Sequence, residues 1–526
     1  MATNKLTHIA SPLRSLLLAV FVANLSFLVP SAVADDSSKI LRKLELMEAE
    51  ISALKAELKE QKAQQTKSLE AAAVVKKGDT VSDSENASKG FDEALFRPQS
   101  QSLASNAEAS EALNKRIKEL GQFGITYRSN AFTADSMRLG AYGESIFGRK
   151  DSGNGWNNGF DANRMVLLGT YQISDDIIFN TEIEFEHGGI AKDADDKLNG
   201  ALEVEQLFID FKANDYFTWR SPGVDVVPIG YINLFHEPTQ FYSANRPELY
   251  DGLIPSTWFA PTTGAYGKVV DGVNYQFQVS SALEDAGTVA DEEGGSVPAG
   301  GYDAGISGTE ALSLSRAPIG DRLQLSNNLA YTLRLSYLTP AIPGLSGSTS
   351  FYYTSDTTPR GAYGTNANGS TRPLGRSDLG MFDTELRYRM PESGVELRSE
   401  FIQTNFGDTD NLRANNDGDS TNNVGSSMYG YSFEAAYHLD LVPTGKERWE
   451  LVPFYRYSFI DLQTSGVHGT DSNNPTGAGT NRYHTFGAAL FPTPKIVLKA
   501  DYQFILDDDM QTANEKALLG AVGFFF

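Results

Sequence analysis

The sequence predicts an all-β protein, a 16-stranded antiparallel transmembrane β-barrel preceded by an N-terminal coiled-coil helix. Three observations predict it. Beyond Met137 apolar and polar residues alternate with period two to the last residue. The connections between the alternating stretches are short after every even one and mostly long after the odd ones. The inventory of 48 Gly, 23 Tyr and 30 Phe suits aromatic-rich strands joined by Gly-rich turns better than it suits a soluble α/β enzyme.

Taken in order, residues 1–34 read as an export signal. Lys5 and Arg14 supply a positive start, Leu16 to Val29 an apolar stretch, and Ala32-Val33-Ala34 a small-x-small cleavage site before Asp35. The apolar stretch is shorter than the roughly 20 residues of a membrane-spanning helix. Residues 35–65 carry Ile40, Leu44, Met47, Ile51, Leu54 and Leu58 at spacings that alternate between four and three, the seam of a left-handed coiled coil. A helix this short needs partner chains, or else its own protein, to hold it. Residues 66–135, rich in Ala, Ser, Lys, Glu and Asn, form a linker with a candidate short helix at 111–120.

The barrel is expected over 136–526. Its candidate strands are 136–148, 161–173, 176–188, 201–213, 223–236, 263–270, 272–283, 325–338, 344–356, 379–390, 393–406, 427–440, 447–462, 481–491, 494–506 and 514–526. In the thirteenth, Trp449, Leu451, Tyr455, Tyr457 and Phe459 share one face and Glu450, Arg456 and Ser458 the other. The eighth and fifteenth divide in the same way, with Tyr331, Leu333, Leu335 and Tyr337 opposing Thr332, Arg334 and Ser336, and Ile496, Leu498 and Ala500 opposing Lys499, Asp501 and Gln503. Apolar outside and polar inside is the order a water-filled lumen demands. Leu518, Gly520, Val522, Phe524 and Phe526 end the chain on one face, like the terminal-aromatic signal read by the barrel assembly machinery. The expected location is a Gram-negative outer membrane, with its lipid as a partner.

Composition excludes several classes. A net charge of −23 argues against a nucleic-acid partner. Absence of Cys removes thiolate nucleophiles, thiolate metal sites and disulfides. His187, His236, His438, His468 and His484 lie in no nucleophile-elbow or metal-spaced pattern, so neither an enzyme nor a cofactor is expected. A barrel of sixteen strands instead implies passive diffusion of small polar or charged solutes. The rival is an anchor or adhesin displaying the coiled coil, although with the first strand starting from the periplasm an even strand count would leave both termini on that side.

Selectivity should rest on charges at the narrowest point. Arg138, Arg164, Arg334, Arg387, Arg398, Arg456 and Lys499 fall on faces assigned inward, with Glu182, Glu184 and Asp501 among the acids that share them. Such rows either select anions or pair across strands and stiffen the wall. The third long connection, 236–264, is dense in aromatics and prolines. Glu237, Tyr242, Arg246, Glu248 and Trp258 mark it as a folded loop, either inserted as a constriction or packed on the rim.

The blocks Glu182-Ile183-Glu184-Phe185-Glu186-His187, Glu203-Val204-Glu205-Gln206, Val227-Pro228-Ile229-Gly230, His236-Glu237-Pro238, Phe241-Tyr242, Arg246-Pro247-Glu248 and Ile254-Pro255-Ser256-Thr257-Trp258 resemble those of outer-membrane porins similar to the phosphate-selective porin O and P family. Gly140 to Glu144 is similar to their opening strand. The resemblance implies a homotrimer and a solute channel, with anions such as phosphate among the candidate solutes. Some similar porins carry a periplasmic coiled coil, which here could brace the trimer or touch peptidoglycan.

Overall fold

The computed structural model describes residues 132–134 and 137–526, leaving out 152, 154, 175, 189–200, 285–287, 291–295, 299–305, 307–311, 313–327, 339–341, 359–362, 366–369, 416–423, 442–448, 466–479 and 508–514. The segments expected at 1–34 and 35–65, and the candidate helix at 111–120, lie outside the described residues. Of the expected linker, Phe132–Ala134 is a short strand that pairs antiparallel with Met137 to Leu139.

Eighteen strands form one sheet, and two of them, Phe132–Ala134 and Leu439–Leu441, are three-residue pieces. The other sixteen are β1 (Met137–Asp151), β2 (Trp156–Ser174), β3 (Ile177–Glu186), β4 (Leu202–Asn214), β5 (Phe217–Val226), β6 (Phe259–Val270), β7 (Val273–Ser281), β8 (Leu329–Leu338), β9 (Leu345–Thr354), β10 (Leu379–Arg389), β11 (Val395–Phe406), β12 (Ser427–Tyr437), β13 (Trp449–Ser465), β14 (Thr480–Thr493), β15 (Ile496–Asp507) and β16 (Glu515–Phe525). Each pairs antiparallel with its sequence neighbours. β1 also pairs with β16, from Tyr142 opposite Phe525 to Asp151 opposite Lys516, and so closes the cylinder. Ala141 and Phe526 exchange backbone hydrogen bonds of 2.7 and 2.9 Å at the closing seam. A closed antiparallel sheet leaves no edge strand.

Turn length alternates along the chain. Asp215-Tyr216, Asp271-Gly272 and Pro494-Lys495 join strands at one end, whereas 227–258, 282–328, 355–378, 407–426 and 466–479 connect them at the other. Local chemistry explains the tight turns. The Asn214 side chain accepts the Tyr216 N–H at 2.8 Å, and Gly272 adopts φ 81°, a region unfavourable to any residue with a Cβ.

The fifth strand differs from expectation. It runs over Phe217–Val226 rather than 223–236, because Ser221-Pro222-Gly223 is absorbed as a bulge instead of serving as a connection. Pro222 has no N–H to give the ladder, and the Ser221 hydroxyl takes the Ile209 N–H at 2.9 Å beside the break. The apolar run Val227-Pro228-Ile229 consequently leaves the wall and begins an insertion at 227–258, in place of the connection expected at 236–264.

Burial is inverted relative to a soluble protein. Phe160, Met165, Leu167, Trp219, Leu333, Phe351, Tyr455, Phe486, Leu498 and Leu518 are exposed on the outer wall, while Glu144, Arg164, Glu182, Asp210, Arg220, Arg334, Glu385 and Arg456 are buried. The principal apolar core is internal. Ile229, Phe241, Leu249, Leu253 and Trp258 of the insertion pack there on Tyr352, Met381, Ile402, Met428 and Ile460 of the wall.

Candidate functional site

The insertion 227–258 lies inside the barrel, as its contacts on opposite walls require. Two four-residue helices, α1 (Tyr231–Leu234) and α2 (Leu249–Gly252), give it shape. Asn233 ties its ends together: the side-chain amide donates to the carbonyls of Val227 and Trp258 at 2.8 and 3.2 Å and accepts the Trp258 N–H at 2.6 Å. On the near wall Arg164 donates to the carbonyl of His236 at 2.6 Å. On the same side, the Ala244 N–H reaches Asp501 of β15 at 2.5 Å, whereas across the cylinder the Gly230 N–H reaches Asp383 of β10 at 3.1 Å and the Tyr250 hydroxyl donates to Glu400 of β11.

Glu248 is the main fastening. Arg456 of β13 grips its carboxylate with Nε at 2.9 Å and a terminal nitrogen at 3.0 Å, and Ser458, Thr485 and Gln503 complete the shell at 2.6, 3.0 and 2.8 Å. Burial by itself would raise this carboxyl group's pKa. The Arg456 guanidinium and the Ser458 hydroxyl outweigh burial and hold it below the ordinary carboxylate range. Tyr242 occupies a second dock, donating to Glu396 at 2.9 Å and accepting from Arg398 at 2.6 Å. His438 bridges Glu396 and Glu450 at 2.8 and 2.7 Å beside it.

The charged residues singled out in the sequence take up these positions. Arg164 pairs with Glu144 at 2.9 Å, Arg334 with Glu385 at 2.6 Å, Arg398 with Glu396 at 2.7 Å, and Arg456 with Glu248 and Glu434 at 2.9 Å. Arg387 stands 3.2 Å above the Tyr231 ring and Lys499 3.5 Å above that of Phe241. Asp501 receives the Ala244 N–H, whereas Glu182 and Glu184 are buried, Glu182 3.7 Å from His236 of the insertion. Arg138 pairs through its backbone with Thr170, and its side chain lies outside the described residues. In the insertion Arg246 donates to Ser256 and Thr257, Trp258 packs 4.9 Å from Tyr352, and Glu237 is buried.

Other interior groups are brought together in ways that strand alternation does not reveal. Arg220 bridges Asp210 and Asp225 at 2.8 and 2.6 Å across β4 and β5, and Tyr266 and Gln278 join the same knot. Glu205 is directed inward by a bulge that period two does not reveal: Glu182 pairs with Gln206 and Ile183 with Val204, leaving Glu205 as the extra residue. Tyr142 and His236 meet only because the insertion descends onto β1. The blocks around Glu205 and His236 stand out in the sequence, but not their convergence.

No family model matches the chain. A protein of Aquifex aeolicus (strain VF5), itself described as uncharacterized, is 25% identical over 371 residues, covering 70% of this chain and 75% of that one. Among solved structures, the outer membrane channel DcaP of Acinetobacter baumannii is 9% identical with a TM-score of 0.43, covering 76% of this chain and 100% of that one. An anion-selective porin from Comamonas acidovorans is 12% identical with a TM-score of 0.41, covering 74% of this chain and 99% of that one. OprB of Pseudomonas putida is 10% identical with a TM-score of 0.43, covering 74% of this chain and 94% of that one. Likeness of this degree leaves the chemistry of the interior to be read from its own residues.

Three outcomes are expected of the insertion. Arg456→Ala leaves the Glu248 carboxylate buried without its guanidinium and should cost about 3–5 kcal/mol in denaturant unfolding, with Glu248→Gln/Arg456→Met recovering a large part. Because the folded pKa of Glu248 is depressed, its contribution is full above the ordinary glutamate value of about 4.3 and is lost as pH falls through the lower folded value. Docking measured by limited proteolysis of 227–258 should therefore hold at neutral pH and loosen only in acid. Gly230, at φ 71°, has no room for a methyl group, since an added Cβ would lie 2.6 Å from the Tyr250 ring. Gly230→Ala should release the insertion to protease at neutral pH, and unchanged protection would show that α1 can shift without losing its dock.

Proposed function

We propose that this chain is an outer-membrane channel for passive diffusion of small polar or charged solutes, its lumen narrowed by the segment 227–258. The observation that carries this reading is the inverted burial. A closed cylinder exposing Leu333, Phe351, Tyr455 and Leu498 outward, while holding Arg334, Ser350, Arg456 and Lys499 inward, is suited to lipid outside and polar traffic inside.

The interior favours a narrow, weakly selective path. Acids and bases face one another across short distances, giving a transverse field that orients zwitterions and dipoles more than it sorts ions by sign. A preference for anions such as phosphate is the finer form of this reading. It would rest on Lys499 and Arg387, which stand on aromatic rings instead of in the short carboxylate pairs formed by Arg164, Arg334, Arg398 and Arg456. Assembly as a homotrimer, with the heptads at 35–65 as a periplasmic brace, belongs to the same proposal.

Planar-bilayer recording tests it. The wild type should give small ohmic steps with reversal potentials near zero in asymmetric salt, and Arg456→Ala should give larger or noisier steps as the insertion loosens. Reduction of chloride current by low phosphate, abolished by Lys499→Met, would establish the anion preference. Absence of conductance from both proteins would overturn the channel and leave an anchor. In lipid vesicles, Leu333→Arg on the outer wall should destabilise unfolding by about 2–4 kcal/mol. A change near zero would show that this face does not meet hydrocarbon.

A further inference from the structure

Beneath the point where the insertion meets β1, β3 and β4 lies a group of side chains that neither solute passage nor docking accounts for. Glu182 and Glu205 are 0% exposed and His236 is 1% exposed. The Nε2 atom of His236 is 3.5 Å from Glu205 Oε2 and 3.7 Å from Glu182 Oε1, and the three ligand atoms lie within 4.8 Å of one another. Two atoms bound at about 2.0–2.1 Å to a tetrahedral ion are about 3.4 Å apart, so the two spacings from the imidazole nitrogen are close to those of a coordination shell.

Two further observations point to a cation. The first is the orientation of the histidine. Its Nδ1 is 2.9 Å from the carbonyl oxygen of Asn233, which can only accept, so Nδ1 carries a proton and Nε2 is the nitrogen that faces the two carboxylates. A backbone carbonyl fixing one ring nitrogen while the other faces the ion is how metal-binding histidines are held. The second is Glu205, which the bulge turns inward. Neither of its buried carboxylate oxygens meets a hydrogen-bond donor among the described residues, apart from any proton shared with the adjacent Glu184 carboxyl group. Such a group needs either a proton or a cation.

We infer that Glu182, Glu205 and His236 form a binding site for one divalent transition-metal ion of the zinc type, which staples the start of the insertion to β3 and β4. One imidazole nitrogen with two carboxylates suits such an ion, whereas calcium calls for six to eight oxygen ligands and magnesium for a nearly ideal octahedron. The Tyr142 hydroxyl lies 2.8 Å from Glu182 Oε1 and 2.7 Å from His236 Nε2, and its single proton serves one of the two at a time. On metal binding it keeps the bond to Glu182 and yields the imidazole lone pair. The staple does not depend on whether the barrel conducts.

The test uses the full-length protein in detergent, stripped with EDTA and dialysed against micromolar zinc chloride in excess magnesium. The wild type should retain about one zinc per chain, with an X-ray absorption edge showing only nitrogen and oxygen neighbours at about 2.0–2.1 Å. Glu205→Gln, which keeps the shape of the side chain, should lower the affinity at least tenfold, as should Glu182→Gln. His187→Asn removes an exposed histidine paired with Asp161 at 2.7 Å and should change nothing. Zinc far below one per chain in the folded wild type would overturn the inference and leave protons as what neutralises the carboxyl groups. Equal binding by wild type and Glu205→Gln would likewise overturn it by placing the ion elsewhere. Should the variants fail to fold, as judged by circular dichroism, wild-type stoichiometry and the absorption spectrum decide alone.

Discussion

The structure depends on closure of one sheet. Pairing of β1 with β16 gives every spanning strand two hydrogen-bonded neighbours, so no row of backbone groups is left without partners. Once the cylinder is closed, alternation along each strand assigns one set of side chains outward and the other inward. The outer set is apolar and the inner set polar, which explains how Arg456 and Glu182 can be buried while Phe160 and Met165 are exposed. The same closure creates an interior large enough to receive a folded segment of chain.

That interior is organised by charge pairing rather than by a simple row of cations. Arg220 between Asp210 and Asp225 and Arg334 on Glu385 form knots on the wall, Arg398 on Glu396 and Arg456 on Glu248 are joined through Glu434, and the insertion plugs into this joined pair through Tyr242 and Glu248. Removing a charge from water is costly unless its partner is close and well oriented, and these pairs are short and supported by hydroxyl or amide groups. The insertion is therefore positioned by the chemistry of the wall. Its apolar face, from Ile229 to Trp258, supplies the remaining adhesion by packing on Tyr352, Met381, Ile402 and Ile460.

Much of the fold was legible in the sequence because period-two alternation is a local property. Trp449 to Phe459 reveals its two faces without knowledge of any other strand, and so does Tyr331 to Tyr337. The fifth strand departs from its pattern for an equally local reason: Ser221-Pro222-Gly223 has the composition of a turn, and only pairing on both sides shows that the sheet carries it as a bulge. The interior was less legible. Glu237, Tyr242, Arg246, Glu248 and Trp258 were visible as parts of an unusual loop, yet the sequence left open whether that loop lies inside the barrel or on its rim.

By itself the sequence determined the strand count, the sorting of short and long connections, the two faces of strands without bulges and the exclusion of cysteine chemistry. These follow from patterns spanning a few residues. The tertiary structure decided which charges meet and where the insertion goes. Glu248 finds Arg456 across 208 positions of chain, and His236 comes to Glu182 and Glu205 only when 227–258 descends onto the wall. Such meetings depend on closure of the cylinder and on the register of each strand pair, where a single bulged residue such as Glu205 changes which side chains point inward.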